Sequence, residues 1–142
     1  MKWRLTGQAL ALLVLAFLPA VGQVVYLRDR TSWNAPVAAG DEVTVERAAR
    51  WGDAALWVDA RADEQFEKAH VPGAVQLNED RWNELLPQLL AKWSPEKRLI
   101  VYCSSEACGA SREVARRLRE EARLKNVFVL EGGWEAWLAT KK

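Results

Sequence analysis

Cysteine is almost absent from this chain. There are two, Cys103 and Cys108, in 142 residues, with one histidine and one methionine. Two cysteines cannot staple a small disulfide-built domain. Three Cys and His side chains fall short of the four ligands that a structural zinc site usually takes, so no metal is expected. An excess of either charge is also missing: 20 basic and 19 acidic side chains leave a net charge of +1. That balance excludes a disordered polyelectrolyte, and it leaves no face basic enough to release many counterions, so nucleic acid is not an expected partner. No repeat, no low-complexity tract and no cofactor motif is visible. What is present is a half-hydrophobic sequence of one domain's length, with eight tryptophans.

The average hides a split. Residues 1–30 carry Lys2, Arg4, Arg28 and Arg30 against Asp29 alone, a net +3, and the remainder carries −2. Gln8 to Leu27 holds no charge and is long enough for a hydrocarbon core of roughly 30 Å. Trp3 and Tyr26 stand where interfacial aromatics are expected. A cleaved signal is the alternative, with Pro19 and the small residues Ala20-Val21-Gly22 as its processing site. Because Val24, Val25 and Leu27 continue the apolar run, an uncleaved anchor is preferred. The basic N-terminal flank orients the remainder to the extracytoplasmic (periplasmic) side, with a secreted or periplasmic protein if the segment is removed. Residues 31–41, small and polar with Pro36 and Gly40, read as a tether. Residues 42–142 read as the folded domain.

That domain alternates short apolar runs with helical patterns. Ala55–Asp59, Ala74–Leu77, Leu99–Cys103 and Val127–Leu130 are strand candidates, apolar throughout as strands covered on both faces are. Thr44 is placed to cap a helix over Val45–Arg50. Trp82, Leu85, Leu86, Leu89, Leu90 and Trp93 recur with helical spacing, and Pro87 within them predicts a kink or two short helices. A further helix is predicted from Ser111 to Leu124, with Val114, Ala115, Leu118 and Ala122 inward. Its surface carries Arg112, Arg116, Arg119 and Arg123, and its expected i,i+4 ion pairs are Glu113–Arg117 and Glu121–Lys125. The alternation predicts an α/β fold with a parallel sheet flanked by helices.

In such sheets the chemistry lies where strands end and helices begin. Leu99-Ile100-Val101-Tyr102 runs directly into Cys103, then Ser104, Ser105, Glu106, Ala107, Cys108 and Gly109, then the helix. A thiolate held there is stabilised by helix and loop amides, which makes Cys103 the candidate nucleophile. Cys108 is a candidate resolving thiol, or a small packing residue under the loop.

These residues resemble the rhodanese family. Asp59-Ala60-Arg61 is similar to its Asp-x-Arg, and Phe66 with His70-Val71-Pro72-Gly73-Ala74 to its Phe…His-Ile-Pro-Gly-Ala stretch. Val101-Tyr102-Cys103 resembles the strand that ends in the sulfur-carrying cysteine, and Ser111-Arg112-Glu113-Val114-Ala115 the helix after it. Leu130-Glu131-Gly132-Gly133-Trp134-Glu135-Ala136-Trp137 is similar to the C-terminal signature. The resemblance implies a five-stranded parallel sheet and a sulfurtransferase. Cys103 would take sulfane sulfur from a donor as a persulfide and pass it to a thiol or other thiophilic acceptor. Asp59, Arg61, His70 and Arg112 would be structural residues near the site.

The loop departs from that pattern. Seven residues separate Cys103 from Ser111 where the family commonly has five, none is basic, and Glu106 adds negative charge. A dianionic donor such as thiosulfate is therefore disfavoured. Phosphatase chemistry of the Cys-x5-Arg kind is also disfavoured, because Gly109 stands where the arginine would be. Two other functions are carried forward: a thiol–disulfide module using Cys103 and Cys108, and a membrane-tethered binding module without catalysis. Among the tryptophans, Trp57, Trp134 and Trp137 are expected to pack, Trp82 and Trp93 to line the core or a groove, and Trp33 and Trp51 to meet the membrane surface.

Overall fold

A computed structural model describes residues 41–105 and 109–141. They belong to the second of two units into which the chain divides, residues 36–142. The expected anchor and all of the tether except Asp41 lie outside the described residues, as do Trp33, Glu106, Ala107 and Cys108. Among the described residues no helix is long and apolar enough to cross a membrane.

The elements are β1 (Glu42–Val43), α1 (Val45–Ala49), a 3-10 turn (Gly52–Ala54), β2 (Ala55–Asp59), α2 (Asp63–Lys68), β3 (Val75–Gln76), α3 (Trp82–Lys92), β4 (Arg98–Tyr102), α4 (Ala110–Glu120), β5 (Val127–Leu130) and α5 (Gly133–Ala139). The five strands form one sheet in the order β1-β5-β4-β2-β3, with every pairing parallel. After β2 the chain builds outward to β3, then crosses over to β4 and builds the other way to β5. The sheet therefore has its topological switch between β2 and β4, and in such sheets ligands bind outside the strands' carboxyl ends at that point.

Strand geometry divides the core. Side chains two apart point to one face, so Leu56, Val58, Leu99, Val101, Val127 and Val129 meet Trp82, Leu85 and Leu89 of α3 and Val114, Ala115 and Leu118 of α4. The intervening Ile100, Tyr102 and Leu130 join Val43, Val45 and Ala48 on the opposite face, against Trp134 and Trp137 of α5. Leu99, Ile100, Val101 and Tyr102 are wholly buried. At about 1.5–3 kcal/mol for each large aliphatic side chain, this central strand anchors both halves of the core.

Several local expectations need correction. Pro87 lies inside one continuous helix, α3, instead of dividing it in two. Its fixed φ suits a helix, and the burial of Leu85 and Leu89 on either side offsets the one backbone hydrogen bond it removes. The α3 stripe is also narrower than its spacing suggested, since Leu90 is exposed. Helix α4 stops at Glu120, short of Leu124. Arg123 takes a left-handed φ of 57°, and the Leu124 N–H returns to the Leu118 carbonyl at 2.9 Å, closing the helix end. The ion pairs shift accordingly. Arg116 holds both Glu113 and Glu120, and Arg117 holds Glu121 at 2.9 Å. Trp51 is half-buried with its ring 5.0 Å from Phe128, and Arg47 and Arg98 lie against it. Packing on the sheet thus accounts for that ring, where the sequence suggested a membrane surface.

Candidate active site

Cys103 follows β4 directly and is 1% exposed. Its position is fixed on three sides. Its Sγ lies 3.3 Å from Oγ of Ser111, a buried residue in the first turn of α4, and 3.4 Å from the Ser105 carbonyl oxygen. Its own carbonyl accepts a hydrogen bond from the Trp134 N–H at 2.7 Å, and the Ser104 carbonyl accepts one from Glu135 N–H at 3.2 Å. From α2, Gln65 Nε2 donates to Ser104 Oγ at 3.2 Å. Cys103 is the one cysteine among the described residues and is not a free thiol there.

On the neighbouring strand, Asp59 is wholly buried and pairs with Arg61. The guanidinium donates from Nε at 3.0 Å and from Nη2 at 2.6 Å, while the Arg61 backbone N–H donates to the same carboxylate at 2.9 Å. Nη2 also donates to the Ala69 carbonyl at 2.7 Å. Burial works against the guanidinium charge, but the bonds and charge of Asp59 outweigh it and hold Arg61 above its usual pKa. The Arg61 guanidinium lies 4.4 Å from the Trp134 ring centre and 5.6 Å from that of Tyr102. Tyr102 Oη accepts from the Val71 N–H at 3.1 Å. Its hydroxyl pKa is raised by burial first and then by Asp59, so it stays a neutral phenol.

Asp59 and Arg61 thus tie the ends of β2 and β4 to the loop before β3 and to α5. His70 is apart from this cluster. It is exposed, its ring stacks on Phe66 at 4.0 Å, and its Nδ1 lies 2.9 Å from the Phe66 carbonyl oxygen. Arg112 points to β1, with Nη2 3.4 Å from Glu42. A small cleft beside the loop is lined by Glu42, Ser105, Ser111, Arg112, Glu131 and Gly132. No cluster of metal-ligating side chains occurs among the described residues. In the sequence Ser111 stands out only as the start of a helix, and nothing there marks the Trp134 and Glu135 amides. The Gly132-Gly133 pair was the one sign that backbone comes close there.

A Rhodanese-like domain family model matches residues 44–140, and the chain belongs to that family. Among curated relatives it is 30% identical over 86 residues to a thiosulfate sulfurtransferase GlpE of Pseudomonas savastanoi pv. phaseolicola, covering 61% of this chain and 74% of that protein. It is 31% identical over 90 residues to a tRNA uridine(34) hydroxylase of Hamiltonella defensa, covering 62% of this chain and 24% of that protein. It is 29% identical over 86 residues to an arsenate reductase 2.2 of Oryza sativa, covering 56% and 66%. The chain therefore spans about a quarter of that hydroxylase and just under two thirds of that reductase. A rhodanese-like domain protein of Staphylococcus aureus shares the fold with a TM-score of 0.53 at 22% identity, over 68% of this chain and 90% of that one. A protein of Bacillus halodurans does so with a TM-score of 0.60 at 21% identity, over 87% and 82%.

Proposed function

We propose that this protein is a sulfurtransferase that carries sulfane sulfur on Cys103. The observation that carries this reading is the position of Cys103 at the end of the central strand, beside the sheet's switch point, with Ser111 Oγ 3.3 Å from its sulfur. Once Cys103 is a thiolate, it attacks the outer sulfur of a donor. The Cys103 S–S bond forms as the donor's bond to that sulfur breaks, and the donor leaves with the electron pair. An acceptor thiolate then attacks the terminal sulfur of the persulfide and releases the Cys103 thiolate. Covalent catalysis thus divides the transfer into two steps, with no net redox change. The loop's lack of basic residues and its Glu106 disfavour thiosulfate and favour a donor of lower charge.

The family relationship supports this reading, and its test is intact-mass measurement. After reduction and exposure to a sulfane-sulfur donor, the protein gains one sulfur and Cys103→Ser gains none. A wild-type mass unchanged by every donor tried rejects the assignment.

A second reading has one observation in its favour: Cys103 is not a free thiol, and Cys108 is the only other cysteine of the chain. In that reading Cys108 resolves Cys103 and the pair cycles between dithiol and disulfide. Titration in a redox buffer separates the two, because a cycling pair gives a reversible two-electron transition that either single Cys→Ser variant abolishes. A non-catalytic binding module would keep its biological role in Cys103→Ser. We also propose that residues 1–30 anchor the protein, residues 31–41 tether it, and residues 42–142 form the domain on the extracytoplasmic side. The charge pattern and the uncharged Gln8–Leu27 run support this placement. Protease protection in spheroplasts tests it.

A further inference from the structure

Four glycines of the domain have positive φ, and they differ in what a side chain would meet. At Gly52 and Gly73 an added Cβ would enter open space. At Gly132, the residue before α5, it would come within 2.7 Å of the Ala136 Cβ. At Gly133, φ +58°, it would lie 2.5 Å from the Cys103 carbonyl oxygen, 3.2 Å from the Cys103 carbonyl carbon and 3.3 Å from that of Ser104. The obstacle there is backbone, which cannot rotate away as a side-chain tip can.

Only a hydrogen at position 133 lets α5 settle onto the loop closely enough for its first amides to reach the two carbonyls. A trans peptide points its N–H opposite its C=O. Turning the Cys103 and Ser104 carbonyls toward α5 therefore turns the Ser104 and Ser105 N–H groups to the other side of the loop. The first amides of a helix have no partner within it, so α5 gives up no internal hydrogen bond in doing this.

We propose that Gly133 is a positioning residue for Cys103: it lets the start of α5 clamp the Cys103 and Ser104 carbonyls and so sets which way the Ser104 and Ser105 N–H groups face. This rests on the reading of Cys103 as the reacting thiol. Gly133 touches no reacting atom and acts through the Cys103 and Ser104 peptides.

The test is the rate of Cys103 alkylation by iodoacetamide against pH, in full-length protein carrying Cys108→Ser, with urea unfolding measured alongside. Gly133→Ala is expected to raise the midpoint of that profile by about one unit, roughly a tenfold loss of thiolate near neutral pH. Gly132→Ala, strained in the same φ region but with its added Cβ against Ala136 and not against the Cys103 or Ser104 backbone, leaves the midpoint unchanged whatever its unfolding shows. Glu135→Pro replaces the N–H that holds the Ser104 carbonyl with a ring methylene, which cannot donate and pushes that carbonyl away from α5, at a first-turn position where the helix needs no donor. It moves the midpoint in the same direction by less, and it decides the matter if Gly133→Ala does not fold. A midpoint unmoved in both loop-facing variants, or moved equally by Gly132→Ala, overturns the proposal. Alkylation reads the thiol regardless of any sulfur donor, so failure of sulfur loading would reject the proposed activity and leave this inference standing.

Discussion

The guanidinium of Arg61 is clasped by the buried carboxylate of Asp59 and lies 4.4 Å from the ring centre of Trp134, the residue whose N–H holds the Cys103 carbonyl. One cation thus connects the end of β2 to α5 and, through α5, to the loop that follows β4. Its charge is affordable in the interior only because Asp59 and the Ala69 carbonyl occupy its donors.

Removing Arg61 strands a buried carboxylate. Arg61→Met is expected to lower stability by about 3–5 kcal/mol in urea unfolding. The double variant Asp59→Asn with Arg61→Met should recover a substantial part of that loss, because no charge is then left unpaired. If the double variant is as unstable as the single one, Arg61 acts through packing and not through its charge.

Ser111 has a hydroxyl placed to donate to the Cys103 sulfur, and a hydrogen bond to a charged acceptor is worth roughly 1.5–3 kcal/mol. Ser111→Ala, in the Cys108→Ser background, should therefore raise the alkylation midpoint of Cys103 by about one unit. A midpoint unchanged by the substitution removes Ser111 from thiolate stabilisation.

Glu79 is half-buried after β3, and its carboxyl pKa is raised, first by burial and then by the charge of Glu113. For an acid the sign is clear. A folded pKa above the unfolded one means that ionisation costs stability above the folded value, and that the cost disappears below the unfolded value. Glu79→Gln should raise the urea midpoint at pH 7, with the gain shrinking to nothing as pH falls to about 4. A gain that persists unchanged in acid would point to some cause other than this charge.

Pro87 withholds a backbone N–H in the middle of α3. Proline in a helix interior is about 3 kcal/mol less favourable than alanine, while its stiffening of the unfolded chain returns at most about 1 kcal/mol. Pro87→Ala is thus expected to stabilise the domain by at least about 1 kcal/mol, read as a higher urea midpoint at unchanged slope. A lower midpoint would mean that the proline ring contributes packing that alanine loses.

Much of this architecture was legible because its strands are long apolar runs. Ala55–Asp59 and Val127–Leu130 were predicted at the bounds they have. Strand β1 was not read from its residues. It is two residues long with only Val43 apolar, and it is a strand because Glu42 and Val43 pair with Val129 and Leu130. The end of α4 was missed for a related reason, since nothing in the composition of residues 121–124 forbids another turn. The position of Cys103 between a strand and a helix followed from its neighbours in sequence. The clamp on its carbonyl did not, because amide donors carry no side-chain signature, and only two adjacent glycines hinted at a close approach.

Strand β1 pairs with β5 alone, which sets Glu42 opposite Val129 across most of the domain's length. Contacts so distant in sequence form late, after the cost of closing the chain has been met. The donors that hold the Cys103 carbonyl come later still, from residues 134 and 135. If Cys103 is the reacting thiol proposed above, it stays unclamped during synthesis until residues 134 and 135 have emerged and packed. On that reading, reactivity becomes a certificate of completed folding, withheld from fragments and half-made chains.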